Sequence, residues 1–152
     1  MHLRFIWPGK TKDERLRSLV NDYLKRISRF ARCEISEVRE STTRDASAVD
    51  KEQRRMADAI GNGSVVVLLD LNGREWSSPE LARQVLRWEN DSVKEVAIVV
   101  GGPEGVGKEV QSRAVVRWRL TRLTLTHEMA RVLALEQVYR AFAINRGLPY
   151  QK

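Results

Sequence analysis

The stretch from Val99 to Val110 reads VVGGPEGVGKEV. Within it, Gly102 to Lys108 fits G-x-x-x-x-G-K, the opening of a phosphate-cradling loop. Such a loop aims backbone N–H groups and a lysine at a polyphosphate, and needs a Ser or Thr hydroxyl after the lysine for magnesium. Here Glu109 follows Lys108, Glu104 adds a second acid inside the loop, and Pro103 removes a backbone donor. Two negative charges and a missing donor argue against a polyanionic ligand, so a nucleotide triphosphatase is a weak reading. The dinucleotide pattern G-x-G-x-x-G is absent as well. GGPEG reads better as a tight turn where backbone comes close to something and side chains would intrude. Metal chemistry has little support: Cys33 is the only cysteine, and His2 and His127 are the only histidines, with no ligand spacing among them.

The elements that hold this loop can be read from periodicity. HLRFIW (2–7) is predicted as a first strand. Leu16, Leu19, Val20, Tyr23, Leu24 and Ile27 recur at helical spacing. CEISEV (33–38) alternates like a strand, and ASAVDKEQRRMADAIG predicts a helix ended by Gly61. SVVVLLDL (64–71) and EVAIVV (95–100) are continuous apolar runs, as expected of strands buried on both faces. NGREW, from Asn72, is expected to turn the chain. Ser78, Pro79 and Glu80 then predict a helix start, with Ser78 as cap and Leu81, Val85 and Trp88 as its buried stripe. A short helix follows the glycine loop, then VRWRLTRLTL, then a long helix from about Thr126 to Arg146. Alternation of this kind predicts one α/β domain over residues 1–152, with a mostly parallel sheet and helices on both faces. In such sheets ligands gather where carboxyl ends of strands feed their loops. That selects the loops after VVVLLDL, VAIVV and RLTRLTL.

Two further signals concern partners. The 152 residues carry 27 Lys and Arg against 20 Asp and Glu, a formal net charge of +7 that favours nucleic acid. Lys10, Lys12, Arg15 and Arg17 are expected on this basic surface. Arg131 is expected to meet RNA or a second subunit. The last helix is apolar around most of its circumference, leaving a narrow polar stripe at Glu136, Gln137 and Arg140. One sheet face cannot cover so much, which predicts a second contact, read as a homodimer interface. The N-terminus becomes charged too early for a signal peptide and no run approaches membrane-spanning length, so a cytoplasmic chain with no membrane partner is expected.

VVVLLDLNGREW, VVGGPEGV, RLTLTHEMARVLALEQVYRA and a terminal Pro-Tyr occur in this order. Together they resemble the SPOUT-class methyltransferases of large-subunit (23S) ribosomal RNA, in particular the family that methylates N3 of a pseudouridine with S-adenosylmethionine. The resemblance spans essentially the whole chain. It implies a C-terminal trefoil knot, an obligate homodimer and a cofactor site on the three selected loops. Carried over by position, cofactor-binding residues are Leu69, Gly101, Leu120, Thr121, Arg122, Leu123, Thr124 and Leu125, acting mostly through backbone. S-adenosylmethionine carries no phosphate, which accords with the failed phosphate-loop test. The tail implies Tyr150 and Lys152 as catalytic candidates, Tyr150 to stack on or hydrogen-bond the base and Lys152 to stabilise an imide anion or contact phosphate. In the family the tail usually reads P-Y-H and a basic residue; here Gln151 replaces the histidine. That departure motivates an alternative, a non-catalytic RNA- or ribosome-binding protein keeping the fold. His127 is expected to open the last helix, with catalysis a lesser alternative, and Asp70 to stabilise a turn or touch cofactor.

Overall fold

The computed structural model describes residues 1–150. Five parallel strands form one sheet, in the order β2-β1-β4-β3-β5. They are β1 (His2–Pro8), β2 (Arg32–Val38), β3 (Val65–Arg74), β4 (Glu95–Val99) and β5 (Ala114–Trp118). The helices are α1 (Glu14–Ile27), α2 (Ala46–Asp58), α3 (Ser78–Asn90), α4 (Gly107–Arg113) and α5 (His127–Asn145). The handedness of parallel crossovers dictates which face each helix takes. The steps β1 to β2 and β3 to β4 run one way along the sheet, and β2 to β3 and β4 to β5 run the other. Right-handed crossovers therefore put α1 and α3 on one face and α2 and α4 on the opposite face. The core follows this division. Phe5, Trp7, Val67 and Ile98 pack with Val20, Val85 and Phe142 of α1, α3 and α5. Ile6, Val66, Leu68 and Val99 pack with Met56 and Val110 of α2 and α4. Each such aliphatic side chain, fully withdrawn from water, contributes roughly 1.5–3 kcal/mol.

Three expectations from the sequence change here. Asn72-Gly73-Arg74 does not turn the chain; it continues β3, with a register shift against β5 between Leu69 and Arg74. The glycine serves packing, because a Cβ on Gly73 would lie 2.5 Å from the Arg117 carbonyl oxygen. The cap of α3 is Ser77, one residue earlier than expected: its hydroxyl accepts from the Glu80 N–H and the Glu80 carboxylate accepts from the Ser77 N–H. Thirdly, α5 lies between α1 and α3 on the sheet. Of its residues only His127 and Met129 are exposed. Apart from Met129, its apolar residues are buried or half-buried within its own chain, so that feature does not argue for a second subunit.

No helix among the described residues is long and apolar enough to cross a membrane. No group of three or more His, Cys, Asp or Glu among them is placed to hold a metal.

Candidate active site

GGPEG is a tight turn, as its composition predicts. The Gly105 N–H donates to the Gly102 carbonyl at 3.0 Å, and Gly105 has a φ of +73°, a conformation glycine adopts without strain. The close neighbour of this turn is the end of β1: a Cβ on Gly102 would lie 2.8 Å from Pro8 Cγ. Glu104 is turned toward α2 and the loop that follows β2. Its backbone carbonyl accepts from Gln53, and its carboxylate lies 3.9 Å from Arg44. Gly107 and Lys108 simply begin α4.

A cavity of about 480 Å³ opens at the carboxyl ends of β3, β4 and β5. That size suits a medium-sized organic ligand. Leu69, Gly101, Leu120, Thr121, Leu123, Thr124 and Leu125 all line it, so seven predicted cofactor residues converge from three loops. Gly101 leaves room at the wall, where a Cβ would press to 3.1 Å from Val106 Cγ1. Arg122 is not among the lining residues. Glu75 lies outside the cavity, takes Arg119 Nη2 at 2.7 Å and draws Arg122 Nε to 3.4 Å. Thr121 Oγ1 accepts from the Leu123 N–H at 3.2 Å and fixes the bend between them.

Asp70 lines the cavity but its charge is already used. One carboxylate oxygen accepts from the Asn72 N–H at 2.8 Å and the other pairs with Arg117 at 2.7 Å. These two contacts, the backbone N–H foremost, hold its pKa below the usual aspartate value. The turn-stabilising role is the one the geometry gives it. Trp118 is a wall that sequence reasoning missed. It is buried at the end of β5, with its ring 5.6 Å from that of Trp76. The available signal was position, an aromatic at a strand's carboxyl end. His127 opens α5 and also lines the cavity.

The tail lies elsewhere. The Tyr150 hydroxyl donates to Glu136 at 2.8 Å and, with its proton so placed, accepts from Tyr23 at 3.2 Å. The Arg140 guanidinium sits 4.7 Å over its ring, and Tyr139 meets it edge-on. Tyr150 is therefore held by α1 and the middle of α5, and is not among the residues lining the cavity. Burial, then the bonds to Tyr23 and Glu136, push its pKa well above the ordinary tyrosine value. Lys152 falls outside the described residues.

Arg131 corrects a further expectation. It does not face outward to RNA but is buried, 4 % exposed. It donates to the Pro8 carbonyl at 2.7 Å, Thr11 Oγ1 at 3.1 Å and the Gly9 carbonyl at 3.3 Å, and lies 5.0 Å over the Trp7 ring. One turn earlier, Glu128 accepts the Lys12 and Asp13 N–H groups, each at 3.0 Å. The start of α5 thus grips the loop at residues 9–13, which follows β1.

The parallel sheet and this loop-built cavity belong to a chain of the SPOUT methyltransferase class. The family described as "Predicted SPOUT methyltransferase" matches residues 1–151, and the chain belongs to it. A crystal structure of TrmJ from Z. mobilis shares the fold, with a TM-score of 0.52 over 92% of this chain and 69% of that one, at 12% identity. Closer relatives carry the name Ribosomal RNA large subunit methyltransferase H. The Oenococcus oeni protein is 35% identical over 100% of this chain and 99% of its own length. That of Geobacter sp. strain M21 is 38% identical over 99% of this chain and 98% of its own.

Proposed function

We propose that the chain is an S-adenosylmethionine-dependent methyltransferase acting on N3 of a pseudouridine in large-subunit (23S) ribosomal RNA. It works as one SPOUT domain over residues 1–152, knotted in its C-terminal part, as a cytoplasmic homodimer. The convergence of Leu69, Gly101 and residues 120–125 on one cavity carries this reading. The name of its relatives supports the substrate class.

The residues present suit the cofactor. Leu69, Leu120, Leu123 and Leu125 offer an apolar slot for adenosine, and the backbone of residues 120–125 offers donors and acceptors. Gly101 leaves space that any side chain would fill. When bound, S-adenosylmethionine supplies a methyl group on a sulfonium, an electrophile for in-line attack by a ring nitrogen. Asp70, locked to Arg117, leaves no unpaired carboxylate to compete for that methyl. The imide N3–H of the target base must lose its proton before or during attack. Tyr150 keeps its own proton at neutral pH, so its hydroxyl donates a hydrogen bond and does not serve as the base. Lys152 is assigned to stabilising the imide anion. A base in a paired helix is out of reach, so the target is a loop base or is flipped out.

Tyr150 and the cavity of its own chain are held apart, and the homodimer supplies the missing reach: each cavity is served by the partner subunit's tail. Co-expressing Gly101→Trp chains with Tyr150→Ala chains tests this. Neither variant alone should methylate, whereas mixed dimers contain one cavity and one tail that are both intact, and activity should return. No recovery would place tail and cavity in the same subunit. Mass spectrometry of ribosomal RNA from cells lacking the gene tests the reaction itself: the methylated pseudouridine should disappear. Gln151 favours the second reading, a non-catalytic RNA-binding protein, and retention of that nucleoside in such cells would select it.

A further inference from the structure

A second cavity, of about 420 Å³, lies between the loop that follows β2 and the first turns of α2. Three cations line it: Arg39, Lys51 and Arg55. Most arginines near the sheet ends are ion-paired: Arg44 lies near Glu104, Arg117 pairs with Asp70, and Arg119 with Glu75. Arg39, Lys51 and Arg55, in contrast, meet no carboxylate within 4 Å among the described residues. The two acids at the rim are occupied. Glu40 pairs with Lys12 at 3.3 Å, and Asp45 caps α2 through the Ala48 N–H while accepting from the Thr43 hydroxyl. Ser41, Thr42 and Ser47 complete the lining with hydroxyl donors.

The cavity is held in shape. Glu52, 3 % exposed, accepts the Ser41 N–H at 2.6 Å and fixes the loop to α2. Arg55 Nε donates to the Arg39 carbonyl at 2.8 Å, which orients its guanidinium along the loop. Unpaired cations gathered with hydroxyls in one concavity are the complement of a phosphate group. Location identifies whose phosphate. All carboxyl ends of a parallel sheet share one edge, so this cavity and the proposed methyl-transfer cavity open along the same side. With strands about 4.8 Å apart, β2 is separated from β4 and β3 by two and three spacings, roughly 10–15 Å. An RNA strand placing a base at β3 and β4 has its neighbouring backbone within reach of β2.

We propose that Arg39, Lys51 and Arg55 bind a backbone phosphate of the RNA substrate, a few nucleotides from the base being methylated. This rests on the RNA-directed reading above. The test compares wild type with Arg39→Gln/Lys51→Gln, two exposed positions whose side chains support no other element. A control, Arg29→Gln/Lys94→Gln, removes the same charge at the opposite edge of the sheet. Filter binding to large-subunit RNA is measured across a salt series, with S-adenosylmethionine affinity measured by calorimetry. The site variant should lose roughly 3- to 10-fold in RNA affinity, and its log–log salt slope should become shallower by about 1 to 1.5. Cofactor affinity should stay unchanged, and the control should move far less. An unchanged slope, or an equal loss in the control, overturns the proposal. So does saturable micromolar binding of inorganic phosphate that RNA does not displace. Methyl transfer by wild type is scored separately: its absence sinks the enzymatic reading while the salt slopes still decide this one.

Discussion

The two cavities on the carboxyl edge of the sheet are built on opposite principles. The one at β3, β4 and β5 is lined mainly by leucines, glycines and a tryptophan, and its charged residues are paired, Asp70 with Arg117 and Arg119 with Glu75. The one at β2 and α2 is made of cations left without partners. A chain with a net charge of +7 could spread its basic residues evenly. This one pairs the charges that line the first cavity and leaves those at the other without carboxylate partners. Overall charge is therefore a poor guide to where an anion sits; pairing is the better one. Between them lies the loop after β1, gripped by Arg131 and Glu128 of α5, so one helix start bears on both regions.

The comparison can be broken at several points. The largest effect is expected from Gly101→Trp, which fills the apolar cavity. S-adenosylmethionine affinity should fall at least about 100-fold by calorimetry, with the fold retained. Unchanged affinity would mean that the cofactor binds elsewhere. Gly73→Ala comes next, because its methyl would meet the Arg117 carbonyl at 2.5 Å. A loss of roughly 2–3 kcal/mol is expected, seen as a Tm lowered by about 5–10 °C. A thermal melt matching wild type would show that the β3 bulge relaxes freely. Glu128→Gln addresses the loop between the cavities and should cost about 0.5–1 kcal/mol at neutral pH, given partial exposure.

That last effect carries a pH signature. The N–H groups of Asp13 and Lys12 hold the Glu128 pKa below the ordinary glutamate value of 4.5. A carboxylate with a depressed folded-state pKa stabilises above its unfolded value and loses that contribution as pH falls through the folded one. Denaturation curves of wild type and Glu128→Gln should therefore converge as pH drops below 4.5. A gap independent of pH would assign the effect to shape rather than charge. The smallest expected effect sharpens the contrast itself: Arg39→Gln/Lys51→Gln should change cofactor affinity by less than about twofold. A larger change would mean that the two cavities are energetically coupled.

Much of this was legible in the sequence, for physical reasons that differ by element. The runs at 64–71 and 95–100 announced buried parallel strands because each face of a parallel sheet must be apolar. The strand-end rule then picked the three loops that do converge, and the resemblance named the residues within them. What failed depended on tertiary context. Asn72-Gly73 has the composition of a turn, yet the glycine is there because the β5 backbone passes too close for a side chain. Arg131 belongs to a residue type almost never fully buried, so nothing local marked it as a core hydrogen-bond donor. The contacts of Tyr150 with Tyr23 and Glu136 likewise depend on elements far from the tail in sequence, so its place within its own chain was not legible locally. The cationic cavity escaped because Arg39, Lys51 and Arg55 sit on two elements that only the folded loop brings together.

The place of β1 has a consequence for biosynthesis. β1 precedes the other strands of its sheet in the chain yet lies in the sheet's interior, hydrogen-bonded on one side to β2 and on the other to β4. Its pairing with β2 can form early, but the second edge has no partner until residues up to Val99 have emerged. At ordinary rates of synthesis that interval is roughly 5–20 s. Throughout it, one backbone edge of β1 stays unpaired while Leu3, Phe5 and Trp7 project an apolar face beside it, the kind of surface that recruits chaperones or aggregates. The strand order that places β1 inside the sheet thus makes it the strand that waits longest for its second partner.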